Sequence, residues 1–334
     1  MPTHRHRTGS RTALRTRLVT AVALLPVLAL TACGDPEADA TAEATPAASA
    51  SGAAINTSPD QDRVRAEEDP EIAAAVPAEI RERGELVVAA NGQGSPPLAF
   101  RADDDTTLIG VETDIAQLVA DVLGLELRLE PTSWENIFLG VESGQYDVGF
   151  SNITVTEERK ETYDFASYRV DELAFEARAD SEITSIDEPA DIAGLTVSVG
   201  QGTNQEQILL RWDEQNRAAG LEPADIQYYQ SSTDYYLALQ SGRIDLYLGP
   251  NPQIAYHVAV AGETKIVGNL SGGGEIEAEI AAMTAKDNGL VQPLSDALNA
   301  VIEDGTYAEV LARWNLESEA IPASEVNPPG LPKE

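Results

Sequence analysis

The segment between Ser151 and Arg159 combines the side chains best suited to binding a small anion. Ser151, Asn152 and Thr154 place hydroxyl and amide groups close together, and Arg159 follows them. A guanidinium group presents a planar fork of N–H donors that matches the two oxygens of a carboxylate. The competing interpretation is that Arg159 forms a solvated ion pair with a neighbouring glutamate. The cluster as a whole indicates capture of a carboxylate-bearing ligand.

The elements around this segment place it at the end of a strand. We predict a helix over residues 133–143, a buried strand over residues 146–150, and a further helix that begins near Thr156. Open α/β sheets bind their ligands at the carboxyl ends of their strands. We therefore expect the polar residues after the strand to face a binding site, with Trp134 at the start of the preceding helix.

Short apolar strands alternate with helical patterns from Gly84 onward, which predicts an α/β fold. A second set of strands and helices begins at Thr196, and its glycine loop, residues 200–203, opens a helix. Two such sets indicate two lobes. The terminal helical patterns, residues 290–303 and 307–314, have no strands of their own, so we expect them to pack on the first lobe.

From about Gly84 to Leu316 the chain resembles the family 3 solute-binding proteins, the extracytoplasmic receptors of amino-acid ABC importers. The segments that carry the resemblance are TSWENIFLGVESGQYDVGFSNITVTEERKETYDFAS, IGVETDIAQLVADVLG, VGQGTNQE, SGRIDLYLG and DGTYAEVLARW. The resemblance implies a two-lobe, periplasmic-binding-protein-like (type II) fold. Two hinge strands, AFEAR at 174–178 and EIAAMTAK at 279–286, would cross between the lobes, and the ligand would lie in the cleft between them.

The resemblance also implies roles for particular residues. Thr154 and Arg159 would grip the α-carboxylate of the ligand, and Trp134 would pack on its side chain. The loop of Thr203 and Asn204 would meet the same carboxylate from the second lobe, through N–H groups at a helix start. The remaining expected binding residues, with polar side chains at strand ends, are Asn91 and Asn152.

The sequence departs from the family on the side that holds the ligand's α-ammonium. Pro250 stands where many relatives carry an aspartate, and a proline has neither a charge nor an N–H donor. We therefore expect a ligand that is held without an ionic grip on its amine. Neutral acceptors that could replace the aspartate are Asn91, Gln93, Tyr247 and Asn251.

The N-terminus has the pattern of a lipoprotein signal. Five arginines precede an apolar run over residues 18–30, which is shorter than the roughly 20 residues that a membrane-spanning helix needs. Leu30, Thr31 and Ala32 lead from the end of this run to Cys33, the only cysteine of the chain. We expect lipidation of Cys33; the alternative is an ordinary secretory signal with a chance cysteine.

Composition and resemblance together divide the chain into segments. The predicted segments are a signal peptide (1–32), a disordered acidic tether (33–80), the first part of lobe 1 (81–176), lobe 2 (177–280), the return to lobe 1 (281–320) and a disordered tail (321–334). The tether is rich in Ala, Thr, Ser, Pro and acidic residues, a composition that cannot bury a core. The tail is rich in proline.

The net charge and the content of histidine and cysteine limit which classes of function fit the sequence. The net charge of −34 disfavours nucleic acid and anionic lipid as partners. His257 is the only histidine after Cys33, and no Cys–His pair or metal cluster is evident, so we expect a binding protein without cofactor or metal rather than an enzyme.

The expected partners are a small carboxylate ligand, an ABC permease with its ATPase, and the membrane through the lipid; we expect a monomer. The alternatives are a cyclohexadienyl-dehydratase-like enzyme on the same fold and a ligand-sensing receptor.

Overall fold

The computed structural model describes residues 55–94, 96–229 and 231–333. The predicted signal peptide, Cys33 and the first part of the predicted tether lie outside these residues. Within the described ranges, no helix is both long and apolar enough to cross a membrane.

The helices and strands alternate in the manner of an α/β protein. In chain order they are α1 (Pro70–Ala75), α2 (Ala78–Arg83), β1 (Glu85–Asn91), β2 (Phe100–Arg101), β3 (Leu108–Ile109), α3 (Val111–Val122), β4 (Glu126–Thr132), α4 (Trp134–Glu142), β5 (Val148–Gly149), β6 (Tyr163–Val170), β7 (Glu172–Arg178), β8 (Thr196–Val199), α5 (Asn204–Ala218), β9 (Asp225–Tyr228), α6 (Ser232–Gln240), β10 (Leu246–Pro250), α7 (Asn251–Ala261), β11 (Thr264–Ser271), β12 (Glu279–Ala285), α8 (Val291–Asp304) and α9 (Thr306–Arg313).

The first lobe is built on a mixed sheet with the strand order β4-β1-β5-β12-β6. Strand β1 is parallel to β4 and β5, and β12 is antiparallel to β5 and β6. Successive residues of β1 point to opposite faces, so Leu86 and Val88 join the core beneath α3, α8 and α9, while Val87 and Ala89 pack against α4. The terminal helices α8 and α9 thus lie on the first lobe.

The second lobe is built on a sheet with the order β11-β7-β10-β8-β9. Strands β8, β9 and β10 are parallel, and β7 is antiparallel to β10 and β11. Leu173 and Phe175 of β7 share a buried core with Ile208 and Leu209 of α5. The two sheets with their flanking helices confirm the predicted two-lobe α/β fold.

The chain crosses between the lobes earlier than expected. Strand β6 belongs to the first sheet and β7 to the second, so the first crossing lies at Asp171 rather than at the predicted boundary of residues 176 and 177. Residues 174–178 pair with β10 and β11 of the second sheet, and β12 pairs with β5 and β6 of the first. Each of the two predicted hinge strands therefore lies within one sheet instead of crossing between the lobes. A helix predicted near Thr156 is also wrong, because only a short 3-10 turn, Arg159–Glu161, forms before β6 begins.

Residues 55–80 are packed on the first lobe, so the predicted disorder of the tether is wrong for this part. Asp69 caps α1 with its side chain, and its backbone N–H donates to the carbonyl oxygen of Val122 at 3.0 Å. Arg65 binds Asp121 with an Nε–Oδ2 distance of 2.6 Å. Composition predicted disorder here because few of these residues are apolar. The few apolar ones nevertheless pack on the first-lobe core, where Val76 and Ile80 are buried, and the polar contacts to α3 add to this packing.

The C-terminal tail, residues 321–333, packs along both lobes, so its predicted disorder is also wrong. Leu331 is buried in the apolar core of the second lobe and forms a bridge to Thr156 of the first. Lys160 donates to the carbonyl oxygen of Pro328 at 3.0 Å, and Arg211 of α5 donates to that of Pro332 at 2.7 Å. Proline does not prevent order here, because these carbonyl groups serve as acceptors.

Replacing Leu331 tests whether the tail contributes to the stability of the lobes. Leu331 is 1% exposed, so Leu331→Ala should lower the free energy of unfolding by roughly 2–3 kcal/mol through lost burial and a cavity. Val326→Ala is the matched control in the same tail, because Val326 is 36% exposed and should change stability by less than about 0.5 kcal/mol. Equal urea-unfolding curves for the two variants would contradict this role.

Candidate functional site

A cavity of about 130 Å³ lies between the lobes, where parallel strands of both sheets end. The first lobe contributes the ends of β1 and β5 and the start of α4, and the second lobe contributes the loop after β8, the start of α5 and the end of β10. The lining residues are Asn91, Gly94, Leu98, Ala99, Trp134, Ser151 and Asn152 from the first lobe, and Gly200, Gln201, Thr203, Asn204, Gln205, Tyr229, Tyr247, Leu248, Gly249, Pro250 and Gln253 from the second.

The lining is polar but carries no formal charge. Side-chain amides from both lobes face aromatic rings contributed by Trp134, Tyr229 and Tyr247. Among the described residues, no aspartate, glutamate, lysine, arginine or histidine lines the cavity. Neutral donors and acceptors and the positive end of the α5 dipole are therefore what a ligand would meet first.

Asn91 and Asn152 line the cavity at the ends of neighbouring strands. The backbone N–H of Asn91 donates to the hydroxyl of Ser151 at 3.0 Å, which ties the end of β1 to the loop after β5. Asn152 has a φ of 51°, and its backbone N–H donates to Glu112 at 3.1 Å. The side-chain oxygen of Asn152 accepts a hydrogen bond from Arg169 at 2.7 Å. Arg169 is not a lining residue, so this bond orients the Asn152 amide from outside the cavity.

Trp134 forms a contact between the two lobes at the rim, and Thr203 shapes the second-lobe loop that Trp134 contacts. The indole N–H of Trp134, the first residue of α4, donates across the cleft to the carbonyl oxygen of Gly202 at 3.4 Å. Thr203 caps α5, since its hydroxyl accepts from the N–H of Glu206 at 3.2 Å and donates to the carbonyl oxygen of Gly200 at 2.7 Å. The Thr203 hydroxyl is thus engaged in shaping the loop.

Thr154 and Asn204 meet at a carboxylate that the sequence analysis did not single out, that of Asp171. The Thr154 hydroxyl donates to Asp171 Oδ2 at 2.7 Å, and the Asn204 amide donates to the same oxygen at 3.0 Å. Asn204 also donates to the carbonyl oxygen of Gly272 at 2.9 Å. Asn204 lines the cavity, whereas Thr154 lies behind it.

Asp171 is almost completely buried, and its ionisation reflects this. Burial raises the pKa of its carboxyl group to about 6, although the hydrogen bond from Thr154 and the positive charge of Arg169 act in the opposite direction. The chain therefore keeps a carboxyl group that titrates near neutrality at the junction of the lobes.

Arg159 lies beside the cavity, outside its lining. Its guanidinium donates to the carbonyl oxygen of Thr154 at 2.8 Å and, across the cleft, to that of Gly202 at 3.0 Å. The group also lies over the rings of Trp134 and Phe138, at 5.4 and 5.1 Å from their centroids. Burial lowers the pKa of Arg159 to about 10, which leaves it charged at neutral pH. These two bonds use two of the five N–H donors of the guanidinium, and the anchoring role stays a prediction.

The sequence analysis predicted only some of the residues that line the cavity. Of the four neutral acceptors considered, Tyr247 and Asn91 line the cavity, and Gln93 and Asn251 are not among its lining residues. Tyr247 stacks on Tyr235 with ring centroids 3.9 Å apart. Gln205 was missed, although its position in the first turn of a helix after a glycine loop is a signal that could have found it.

A buried ion cluster supports the first-lobe wall. Arg169 pairs with Glu112 at 2.6 Å and with Glu319, and all three side chains are buried. Burial raises the pKa of Glu319 to about 7, while Arg169 holds it down. Because Arg169 also holds Asn152, the cluster connects the C-terminal segment to the cavity.

His257, the histidine weighed from sequence, packs inside the second lobe and does not line the cavity. Its Nδ1 lies 2.6 Å from Glu176 Oε1, and its ring stacks on Tyr236 with centroids 3.5 Å apart. In the described part of the chain, no cluster of three or more metal-ligating side chains is found.

This arrangement of two α/β lobes around a polar cavity is that of a solute-binding protein. Residues 86–317 match the bacterial extracellular solute-binding proteins, family 3, and the chain belongs to that family.

Relatives of known name share most of the chain. The arginine-binding protein ArgT of Corynebacterium glutamicum is 31% identical over 260 residues, which cover 77% of this chain and 83% of ArgT. The L-cystine-binding protein TcyJ of Escherichia coli K12 is 31% identical over 237 residues, covering 70% of this chain and 84% of TcyJ. These relatives are binding proteins.

Solved structures share the fold. The ancestral amino acid-binding protein AncCDT-1, a precursor of cyclohexadienyl dehydratase, superimposes with a TM-score of 0.61 at 24% identity, over 71% of this chain and 97% of AncCDT-1. At this level of identity the likeness concerns the fold alone.

The titration of Asp171 should be visible in the pH dependence of stability. Its pKa rises from 3.8 in the unfolded chain to about 6 in the folded one, so its contribution to stability is full below about pH 4 and is lost as the pH rises through about 6. Asp171→Asn removes this titration and keeps an acceptor for Thr154 and Asn204. Between about pH 4 and 7, the free energy of unfolding of the wild type relative to the variant should fall by about 1–3 kcal/mol.

Urea unfolding of both proteins across this pH range measures the difference. Glu319 titrates in the same range, and the charge of Asp171 contributes to its raised pKa, so the difference between the two proteins includes a change in the titration of Glu319. Parallel pH profiles for wild type and variant would contradict the raised pKa.

Proposed function

We propose that this protein is the extracytoplasmic receptor of an ABC importer. It captures an amino acid or a related small carboxylate between its lobes and delivers it to a permease driven by its ATPase. The observation that carries the proposal is the cavity itself, whose walls come from strand ends of both lobes. A ligand in such a cavity touches both lobes at once and so favours the closed state in proportion to its extra contacts there.

The closed arrangement is held by contacts that cross the cleft. Trp134 and Arg159 of the first lobe both donate to the carbonyl oxygen of Gly202 in the second. Gln207 of α5 adds a hydrogen bond to Glu158 at 3.1 Å. These contacts lie at the rim and would break when the lobes part, so they stabilise the closed arrangement.

We place the carboxylate of the ligand at the N-terminus of α5. The first N–H groups of a helix have no partners within it and favour an anion, and Asn204 lies at that point of the lining. Arg159 supplies a positive charge beside the cavity, and Trp134 offers a ring to the rest of the ligand. Thr154 acts from behind through Asp171. ArgT and TcyJ, which are named for arginine and cystine, support an amino acid as the ligand class.

The receptor is held at the membrane by a lipid on Cys33, with a signal peptide over residues 1–32 removed on export. The basic and apolar residues before Cys33 support this proposal. Because a single acyl chain binds a membrane only marginally, stable anchoring takes at least two. The residues between Cys33 and the packed segment at residue 55 would link the lipid to the monomeric body, which delivers its ligand to the permease.

An enzyme of the cyclohexadienyl-dehydratase type is the second candidate, and one observation favours it. The carboxyl group of Asp171 has a pKa near 6, a value suited to proton transfer. Its oxygen is held by Thr154 and Asn204 behind the lining, which favours a structural role. Turnover of a cyclic hydroxy acid by the wild type but not by Asp171→Asn would support the enzyme.

Calorimetric titration with the standard amino acids and cystine tests the binding function. At least one should bind, and Arg159→Ala should weaken it by at least tenfold, because the variant loses a charge beside the cavity and a cross-cleft hydrogen bond. Arg128→Ala is the matched control, since Arg128 is a half-exposed residue of β4 paired with Glu85 and Glu130. No binding across the panel would contradict the proposal.

Membrane anchoring is tested by Cys33→Ala. The variant cannot accept a lipid on its side chain, so it should move from the detergent phase and membrane fraction to the aqueous phase. Cys33→Ser is a second variant with the same expected result. Wild-type partitioning of both variants would show that the lipid anchor does not exist.

A further inference from the structure

Residues 326–333 form a strap that runs from the first sheet to the second lobe. At its start, Val326 forms a bridge to Ala166 of β6, the outermost strand of the first sheet. The backbone N–H of Asn327 donates to the carbonyl oxygen of Phe165 at 2.8 Å, and the Asn327 side chain accepts from the N–H of Phe165 at 2.9 Å. The strap follows residues 86–317, so it lies outside the part of the chain that matches the family.

Leu331 of the strap contacts both lobes at once. Its backbone N–H donates to the carbonyl oxygen of Val155 at 3.1 Å, and its carbonyl oxygen accepts from the N–H of Glu157 at 3.0 Å. Both of these partners belong to the first lobe. The Leu331 side chain is 1% exposed and lies in the second-lobe core, together with Ile208 of α5. One residue is therefore bound to the first lobe by its backbone and to the second by its side chain.

Polar contacts on either side of Leu331 repeat this division. Lys160 of the first lobe donates to the carbonyl oxygen of Pro328 at 3.0 Å. Arg211 of the second lobe donates to the carbonyl oxygen of Pro332 at 2.7 Å. The strap is thus held by both lobes over several residues.

The strap joins two elements that carry part of the cavity wall. Residues 151–159 of the first lobe contribute Ser151 and Asn152 to the lining, and α5 of the second lobe contributes Asn204. Leu331 bonds to residues 155 and 157 of the first element and shares a core with the second. If these walls move apart at this point, Leu331 loses either its backbone bonds or its place in the core.

We propose that the strap holds the lobes in the closed arrangement while no ligand is bound. Opening about the two crossings separates the elements that Leu331 joins, and the strap opposes this separation. It therefore raises the population of the closed state in the free protein. A ligand that needs the closed state then binds more tightly, because less of its binding free energy is used for closure. This role goes beyond capture itself, since it sets the state of the protein before capture.

Two substitutions release the strap from opposite lobes. A Cβ atom on Gly330 would lie 2.3 Å from the carbonyl oxygen of Val155, so Gly330→Ala displaces the strap from the first lobe and keeps the Leu331 side chain. Leu331→Ala removes the hold on the second lobe instead. Val326→Ala is the control, because Val326 lies in the same strap and its side chain is 36% exposed.

The distance between the lobes is measured in the ligand-free protein by pulsed electron resonance of two spin labels. Cys33 is the only cysteine, so Cys33→Ser with Leu139→Cys in α4 and Leu237→Cys in α6 places one label on each lobe. Both leucines are exposed, at 61% and 59%. We expect the fraction of molecules at a longer, open distance to rise about fivefold or more in Gly330→Ala and Leu331→Ala. It should stay at the wild-type level in Val326→Ala.

Gly330→Ala gives the decisive result. Wild-type distances in this variant would overturn the inference, and so would opening in Leu331→Ala alone, because the strap would then only complete the second-lobe core. Circular dichroism shows whether each variant is folded; if Leu331→Ala is not, Gly330→Ala still decides. Because no ligand is added, the result does not depend on the proposed binding function.

Discussion

The carboxylate of Asp171 joins the two lobes where the chain passes from one sheet to the other. A hydroxyl from the first lobe and an amide from the second donate to the same oxygen, at 2.7 and 3.0 Å. Its backbone N–H and carbonyl bind Ala278 and Gly272 on the returning segment, at 2.8 and 2.9 Å. Because burying a carboxylate is costly unless donors surround it, the placement of these donors is tightly constrained. The walls of the cavity are positioned relative to one another through this residue.

The charged groups near the cavity have partners within the protein. Asp171 is held by neutral donors, Arg159 by carbonyl oxygens and aromatic rings, and Arg169 by two buried glutamates. The lining is left with amides, hydroxyls and rings. Recognition in such a site depends on the directions of donors and acceptors more than on ion pairs, and directional groups discriminate through the cost of leaving a buried partner unpaired.

Both ends of the described chain pack on the two lobes that form the cavity. Residues from 55 onward attach to α3, and the C-terminal tail runs from the first lobe to the core of the second, where Leu331 is buried. A segment bound to both lobes changes its contacts when they move. The tail therefore adds contacts between the two lobes, alongside the two crossings.

The sequence by itself determined the α/β class and the two-lobe plan, because alternating strand and helix patterns and the apolar faces of the elements are local properties. Together with the family resemblance, the sequence also predicted that Asn91, Asn152, Trp134, Thr203 and Asn204 face one cleft, and all five line the cavity. Tertiary structure decided the direction of each side chain. Thr154 turns to Asp171, Arg159 turns to carbonyl oxygens, and Gln205 keeps an unused acceptor. The order of residues 55–80 and of the tail also came from contacts with distant parts of the chain, and composition does not record such contacts.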